Sequence, residues 1–185
     1  FFTRGCNAAS PTKYGSTVAI GNVVVSPSEF MPRLFAENGR LLDSQGRITL
    51  DTPEALRALE NYRETYSYSD RTIYDFWKNA LEGFADGTAA MTVVFINYAS
   101  HILNSQMSRI AGKLGFAPVP GGKPLLGGGV IGIAQSCTCP AAACKFLEWL
   151  YADLVAPVFT MLGGLSPCRS AYSNRDISEQ YPWLS

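Results

Sequence analysis

The sequence has no excess charge of either sign, because 15 Lys and Arg residues balance 15 Asp and Glu residues in a chain of 185. It also lacks clusters of Lys or Arg, which argues against nucleic acid or an anionic membrane as the main partner. Long apolar runs are missing too: residues 89–96 form the longest, far short of the roughly 20 residues that span a bilayer. These absences predict a soluble globular chain of one domain, or of one and a half.

Histidine is scarce, since His101 is the only one. A Cys–His nucleophile would therefore have to recruit His101, although the chain has five cysteines. Three of them, Cys137, Cys139 and Cys144, follow a C-x-C-x4-C spacing that is not a zinc-site pattern, so we expect thiols rather than a metal centre. A pair of catalytic carboxylates has no visible signature in the sequence.

Nucleotide-binding fingerprints are lacking as well, with neither a Walker sequence nor a GxGxxG sequence present. The triplet Gly127, Gly128 and Gly129 precedes a predicted strand instead of joining a strand to a helix, so it is a poor phosphate cradle. We therefore predict no cofactor. The triplet fits a hinge or a close approach of ligand to backbone, and it equally fits a plain flexible loop.

Helix signals are strong in the first half of the chain. Ser26 is a predicted N-cap, with Glu29 completing a capping box, and Asn38-Gly39 is expected to end that helix through a left-handed turn. A second helix is expected to start at the cap Thr52. Its apolar residues recur at helical spacing and predict a buried face. They are Leu56, Leu59, Tyr62 and Tyr66.

Two further helices follow from the apolar spacing. One is predicted over residues 73–84, with Trp77 packed inward. The other begins at Pro140 and is expected to bury a stripe along one face. That stripe comprises Ala143, Phe146, Leu147, Leu150 and Tyr151.

Predicted strands alternate with these helices. The apolar, β-branched residues 89–96 predict a fully buried strand. Shorter strands are expected over residues 14–20, 47–50, 114–118 and 130–134. The alternation predicts an α/β fold with a mostly parallel sheet flanked by helices on both faces.

Phe95, Asn97 and Tyr98 lie at the end of the predicted buried strand. Ligands of open α/β sheets bind beyond the carboxyl ends of strands. Aromatic rings suit the C–H faces of sugars, and the Asn97 amide can bond hydroxyl groups. The alternative is that these residues only pack, which is the commoner role of aromatic residues at strand ends.

Six stretches of the chain carry recognisable motifs. They are residues 48–56 (ITLDTPEAL), 84–92 (FADGTAAMT), 115–122 (GFAPVPGG), 127–133 (GGGVIGI), 145–150 (KFLEWL) and 163–172 (GGLSPCRSAY). Taken in this order, they resemble segments of the extracellular solute-binding proteins of ABC importers, of the maltose- and sugar-binding type. They are spread over nearly the whole chain, and their common order makes the resemblance specific.

The resemblance implies a periplasmic-binding-protein fold, in which two α/β lobes close on a solute. Residues 1–126 would form the second lobe, and residues 127–163 a hinge strand and helices of a first lobe that lacks most of its own sheet. Residues 164–185 would return to the second lobe. Because the chain begins without an initiator Met or a signal peptide, we expect it to be a piece of a longer protein.

The resemblance also implies a role in delivery of a solute, such as a sugar or oligosaccharide, to ABC permease subunits, without catalysis. The location would be extracytoplasmic, periplasmic or lipid-anchored at the cell surface. Many sugar binders of the family carry a Trp where this chain has Asn97-Tyr98. The positions matching solute contacts in the family are Ser28, Glu29, Phe30, Phe95, Asn97, Tyr98, Gly127, Gly128 and Gly129.

Two alternatives remain from the residues alone. One is a small hydrolase that uses Cys–His or carboxylate chemistry. The other is a non-catalytic interaction module, in which exposed strand edges pair between chains and make the protein a homo-oligomer.

Overall fold

The computed structural model describes residues 1–21, 24–72, 79–162 and 164–181. The chain divides into two compact units. Unit 1 comprises Phe1–Phe95 and His101–Leu126, and unit 2 comprises Ile96–Ser100 and Gly127–Ser185. The chain thus changes units three times, after Phe95, after Ser100 and after Leu126.

Unit 1 contains a parallel pair of strands, β1 (Tyr14–Thr17) and β2 (Ala89–Thr92). Ser16 aligns with Met91, and the Thr17 and Thr92 hydroxyls lie 2.6 Å apart across the pair. The intervening chain carries helices, as expected for parallel strands, which need a crossover connection. This arrangement confirms the predicted α/β class, with a small sheet.

The sheet is smaller than the sequence predicts. Strand β2 ends at Thr92, and the Met91 side chain is 52% exposed, so the prediction of a fully buried strand over residues 89–96 was wrong. Residues 114–118 and 130–134 are not strands, and residues 47–50 contribute only a bridge between Leu42 and Ile48. Strand propensity is local, whereas a strand exists only where a partner supplies hydrogen bonds.

The helices of unit 1 are α1 (Val25–Ala36), α2 (Pro53–Ser67) and α3 (Leu81–Ala85). Helix α4 (Ala99–Leu103) includes a point where the chain changes units. The first half of the predicted helix over residues 73–84, including Trp77, lies outside the described residues, and α3 covers its end.

The start of α2 is as predicted, because the Thr52 hydroxyl accepts a hydrogen bond from the Ala55 N–H at 3.3 Å. The start of α1 is not. It begins at Val25 without a side-chain cap, and Ser26 instead accepts a hydrogen bond from the Gly21 N–H at 3.3 Å. The predicted capping box fails because Ser26 already lies in the first helical turn.

The end of α1 follows the prediction. Asn38 adopts the left-handed conformation with φ 62°, and the Gly39 N–H bonds the Leu34 carbonyl at 2.9 Å. A Cβ at Gly39 would lie 2.3 Å from a Leu34 methyl carbon. Glycine is therefore required here for close packing, while the residue before it makes the turn.

Helices α1 and α2 pack together around Leu34, Ala55 and Ala58, all at most 5% exposed. The prediction that Leu56 and Leu59 are buried was wrong, since they are 58% and 55% exposed. The two alanines take the interface because their small side chains let the helix axes approach closely. Of the remaining predicted residues, Tyr62 is buried and Tyr66 half-buried.

Unit 2 contains α5 (Pro140–Leu150), α6 (Val155–Met161), α7 (Arg169–Tyr172) and α8 (Arg175–Gln180). Its buried residues include Ala156, Thr160, Ala171 and Ile177. The predicted buried stripe of α5 was wrong, because no residue of that helix is buried. No helix in the described ranges has the length and apolarity to cross a membrane.

Candidate functional site

The first predicted cluster lies on α1, where three adjacent residues meet three different environments. The Ser28 hydroxyl donates to the Val24 carbonyl at 2.8 Å. Phe30 is half-buried and packs against the cluster formed by Leu34, Ala55 and Ala58. Glu29 points inward and is 3% exposed.

Both carboxylate oxygens of Glu29 have protein partners. One accepts a hydrogen bond from the Ala19 N–H at 3.3 Å, and the other pairs with the Arg33 guanidinium at 2.9 Å. Burial raises the pKa of Glu29, and the adjacent Arg33 opposes that shift. This geometry supports a role for Glu29 in holding the chain beyond β1 against α1.

A second contact strengthens this junction. The Tyr62 hydroxyl of α2 donates to the Ala19 carbonyl at 2.5 Å, and the Arg33 guanidinium lies 5.0 Å from the centre of the Tyr62 ring. Ala19 is thereby bonded from α1 through its N–H and from α2 through its carbonyl. Sequence reasoning missed Arg33 and Tyr62 here, although the i, i+4 spacing of Glu29 and Arg33 was a usable signal.

Phe95 also lies close to Ala19. It packs, half-buried, against a core cluster of Ala19, Val25 and Ala80. Glu29 and Phe95, far apart in sequence and both predicted as site residues, are therefore brought together around Ala19.

Asn97 and Tyr98 belong to unit 2, on a short 3-10 helix (Ile96–Tyr98). Asn97 is exposed and Tyr98 half-buried. The Asn97 backbone carbonyl accepts a hydrogen bond from the Ser100 hydroxyl at 3.3 Å. Exposed amides can bond a polar solute, and aromatic rings can stack on one.

Gly127, Gly128 and Gly129 open the second stretch of unit 2 and are exposed. A Cβ added at Gly128 or Gly129 would meet no atom within 4 Å. No packing in the described chain therefore requires glycine at these two positions. Their place at a change of unit is compatible with the predicted hinge.

Unit 1 also carries an open groove of about 950 Å³ between α1 and α2, which the sequence did not predict. Its walls are mainly apolar, and the exposed Leu56 and Leu59 belong to them. Asp51 is the one charged residue among the described residues that line it.

A smaller polar pocket of about 160 Å³ lies along the strand pair. It is lined by Tyr14, Ser16 and Asp70 among others. The Thr72 N–H and hydroxyl donate to Asp70 at 2.9 and 2.7 Å, and these bonds lower the pKa of its carboxyl group.

The cysteines were considered above as thiols or as ligands of a metal ion. All five are free thiols, and the described residues contain no group of three or more His, Cys, Asp or Glu side chains arranged to hold a metal ion. His101 lies half-buried on α4.

The fold matches known structures closely. Maltose-bound T. maritima MalE3 superposes with a TM-score of 0.83 at 24% identity, over 92% of this chain and 46% of that chain. A ribitol complex of an ABC transporter solute-binding protein from Agrobacterium radiobacter K84 gives a TM-score of 0.77 at 22% identity, over 92% and 45%. The architecture is thus that of part of a periplasmic-binding-protein fold.

The family follows from the sequence match. A family model described as bacterial extracellular solute-binding protein matches residues 8–183. The chain therefore belongs to the bacterial extracellular solute-binding proteins, the class that its ordered motifs predict.

Two curated relatives carry related descriptions. The putative ABC transporter periplasmic-binding protein YcjN of Escherichia coli K12 is 28% identical over 97 residues, covering 52% of this chain and 21% of that protein. The probable amino-acid ABC transporter periplasmic-binding protein y4oP of Sinorhizobium fredii is 20% identical over 182 residues, covering 97% and 42%. The chain thus spans less than half the length of each of these relatives.

Proposed function

We propose that this chain is part of the solute-binding component of an ABC importer and that its solute is a sugar or oligosaccharide. The observation that carries the proposal is the likeness to two structures holding polyhydroxylated ligands, maltose and ribitol. The balanced charge of the chain fits an uncharged solute. The relative described as an amino-acid transporter component defines the competing solute class.

In this proposal residues 1–126 are the second lobe of a two-lobed protein. Residues 127–163 belong to the first lobe, and residues 164–185 return to the second. Solute stabilises the closed arrangement of the lobes, and the closed form is what the permease recognises outside the cytoplasm. The chain carries no catalytic step.

Among the predicted contact residues, Asn97 and Tyr98 are proposed to bond and stack on the solute, because Asn97 is exposed and Tyr98 is half-buried. Ser28, Phe30 and Phe95 are proposed to line the site where the solute binds. Glu29 acts indirectly by fixing the chain around Ala19. Gly127, Gly128 and Gly129 are proposed to allow the hinge movement.

The test is a titration of the chain, followed by amide NMR, with maltose, ribitol and an amino acid such as glutamate. We expect the two polyhydroxylated compounds to shift the Asn97 and Tyr98 signals and the amino acid to leave them unchanged. Tyr98→Ala should weaken sugar binding at least about fivefold, the loss of one stacking ring.

Tyr151→Ala, which removes a partly exposed ring from elsewhere in unit 2, should leave the affinity unchanged. If glutamate binds and the sugars do not, the solute class is wrong while the family stands. Equal losses in the two tyrosine variants would remove Tyr98 from the site.

A further inference from the structure

Cys137 and Cys139 lie on either side of a single residue, Thr138, at which the backbone bends. Each cysteine is held in place by a backbone hydrogen bond. The Cys137 N–H donates to the Ala134 carbonyl at 2.9 Å, and the Cys139 carbonyl accepts from the Ala143 N–H at 3.1 Å. The two cysteines are therefore held close together where a turn meets the first turn of α5.

The distance between these two cysteines is set by the chain itself. Cα atoms two residues apart are separated by about 7 Å when the backbone is extended, and a bend brings them closer. A disulfide joins cysteines whose Cα atoms are about 4.4–6.8 Å apart. Covalent geometry and one bend thus bring the pair within disulfide range, and this conclusion needs no contact with any other part of the molecule.

The other cysteines of unit 2 are placed differently. Cys144 is five residues beyond Cys139, which along an α-helix means about 7.5 Å of rise and about 140° of rotation. The Cys168 thiol lies 3.8 Å from the Tyr151 carbonyl, just beyond the far end of α5. This helix has 11 residues, so its ends are about 16 Å apart. Cys139 is therefore out of disulfide range of both Cys144 and Cys168.

We propose that Cys137 and Cys139 are a redox-active pair that forms a reversible disulfide across Thr138. The oxidant is a disulfide of low molecular mass. One cysteine loses its proton, and its thiolate attacks the oxidant, which forms a mixed disulfide and releases one thiolate.

The second step closes the bond. The other cysteine, deprotonated in turn, attacks the cysteine sulfur of the mixed disulfide. The bond between Cys137 and Cys139 forms as the bond to the oxidant breaks, and the second half of the oxidant leaves as a thiolate. Two electrons have then passed from the cysteine pair to the oxidant, and the two protons end on the two released thiols.

The setting and the size of the ring favour this chemistry. The chain belongs to a family of extracellular proteins, and disulfides form and persist in oxidising compartments. A ring closed across one residue is small and strained, and strained disulfides are the ones that are reduced readily. We therefore expect the bond to open and close with the surrounding redox state, and to hold the bend before α5 while it is closed.

Two variants of the chain, each retaining two thiols, test the proposal. The first retains the proposed pair, and the matched control retains Cys139 and Cys144. Each is incubated with mixtures of oxidised and reduced glutathione, quenched with acid and analysed by mass spectrometry. The first variant carries Cys6→Ser, Cys144→Ser and Cys168→Ser, and the control carries Cys6→Ser, Cys137→Ser and Cys168→Ser.

We expect the first variant to lose two hydrogens and carry no glutathione. The control should carry bound glutathione and form at least about tenfold less internal disulfide, because its thiols are out of range. Excess reduced glutathione should reopen the bond in the first variant. Equal closure in the two variants overturns the proposal, as does glutathione on both thiols of the first variant or a disulfide-linked dimer.

The unsubstituted chain provides a measurement that does not depend on the folding of a variant. After the same oxidation, trypsin leaves all three cysteines of residues 114–145 on one peptide, since no Arg occurs there and Lys123 precedes a proline. Fragmentation of this peptide should locate the disulfide between Cys137 and Cys139. A disulfide that involves Cys144 instead would contradict the assignment. None of these outcomes depends on whether a sugar binds.

Discussion

Glu29 shows how one side chain can match a family position and still take a structural role. Its sequence position predicted a capping box and a solute contact, but its carboxylate is buried and bonded to Ala19 and Arg33. A carboxylate taken out of water is stable only with such partners. The nearby Phe95 packs on the cluster that contains Ala19, so Ala19, two residues beyond β1, contacts both side chains.

The raised pKa of Glu29 predicts a pH-dependent stability. Because the folded chain binds this proton more tightly than the unfolded chain does, the stabilisation is fully present below the ordinary pKa of 4.5 and is lost as the pH rises through the folded-state pKa. Relative to the Glu29→Gln variant, which does not titrate, the parent chain should lose stability over that rise.

Urea unfolding of both chains at a series of pH values measures this difference, and other carboxyl groups cancel between them. A parent chain that gains stability relative to Glu29→Gln as the pH rises would mean that pairing with Arg33 outweighs burial.

Tyr62 provides the second residue-scale prediction. Tyr62→Phe removes a buried hydrogen bond to the Ala19 carbonyl and should lower the free energy of unfolding by about 1–2 kcal/mol. In Tyr66→Phe the lost bond, to the Arg71 carbonyl, is exposed, and the change should stay within about 0.5 kcal/mol. Thermal or urea unfolding compares the stability of the two variants. Equal losses of stability would show that the buried hydrogen bond to Ala19 contributes no more than the exposed one to Arg71.

At the scale of elements, the ends of helices were predicted correctly from neighbouring residues, whereas the buried face of a helix was not. The Thr52 cap and the Asn38 turn were predicted because each depends on groups within a few residues. The buried face of α2 was not, because it depends on what α1 presents. The spacing favoured Leu56 and Leu59, whereas the interface uses Ala55 and Ala58.

Two substitutions on α2 test which face carries the packing. Ala58→Leu should destabilise the chain by about 1–3 kcal/mol, because a fully buried alanine leaves no room for three more carbons. Leu59→Ala should cost less than about 1 kcal/mol, because Leu59 is 55% exposed. Chemical denaturation measures the free energy of unfolding of both variants. A larger loss in Leu59→Ala than in Ala58→Leu would show that the face predicted from the apolar spacing is the buried one.

At the scale of the whole molecule, the two units differ in how far their described helices are buried. Unit 1 holds the strand pair and the α1–α2 interface, while α5 of unit 2 buries none of its residues. The family match spans residues 8–183, and the solved relatives are about twice as long. Large exposed apolar side chains occur in both units, for example Leu56 in unit 1 and Leu154 in unit 2.

The sequence by itself determined the family, the α/β class, the start of α2 and the turn after α1. These depend on ordered motifs and on short-range hydrogen bonds and sterics, which neighbouring residues fix. Only the tertiary structure decided that Glu29 turns inward, that Ala58 rather than Leu59 is buried, and that residues 130–134 pair with no strand among the described residues. Each of these depends on atoms contributed by distant parts of the chain, and no local pattern encodes that contribution.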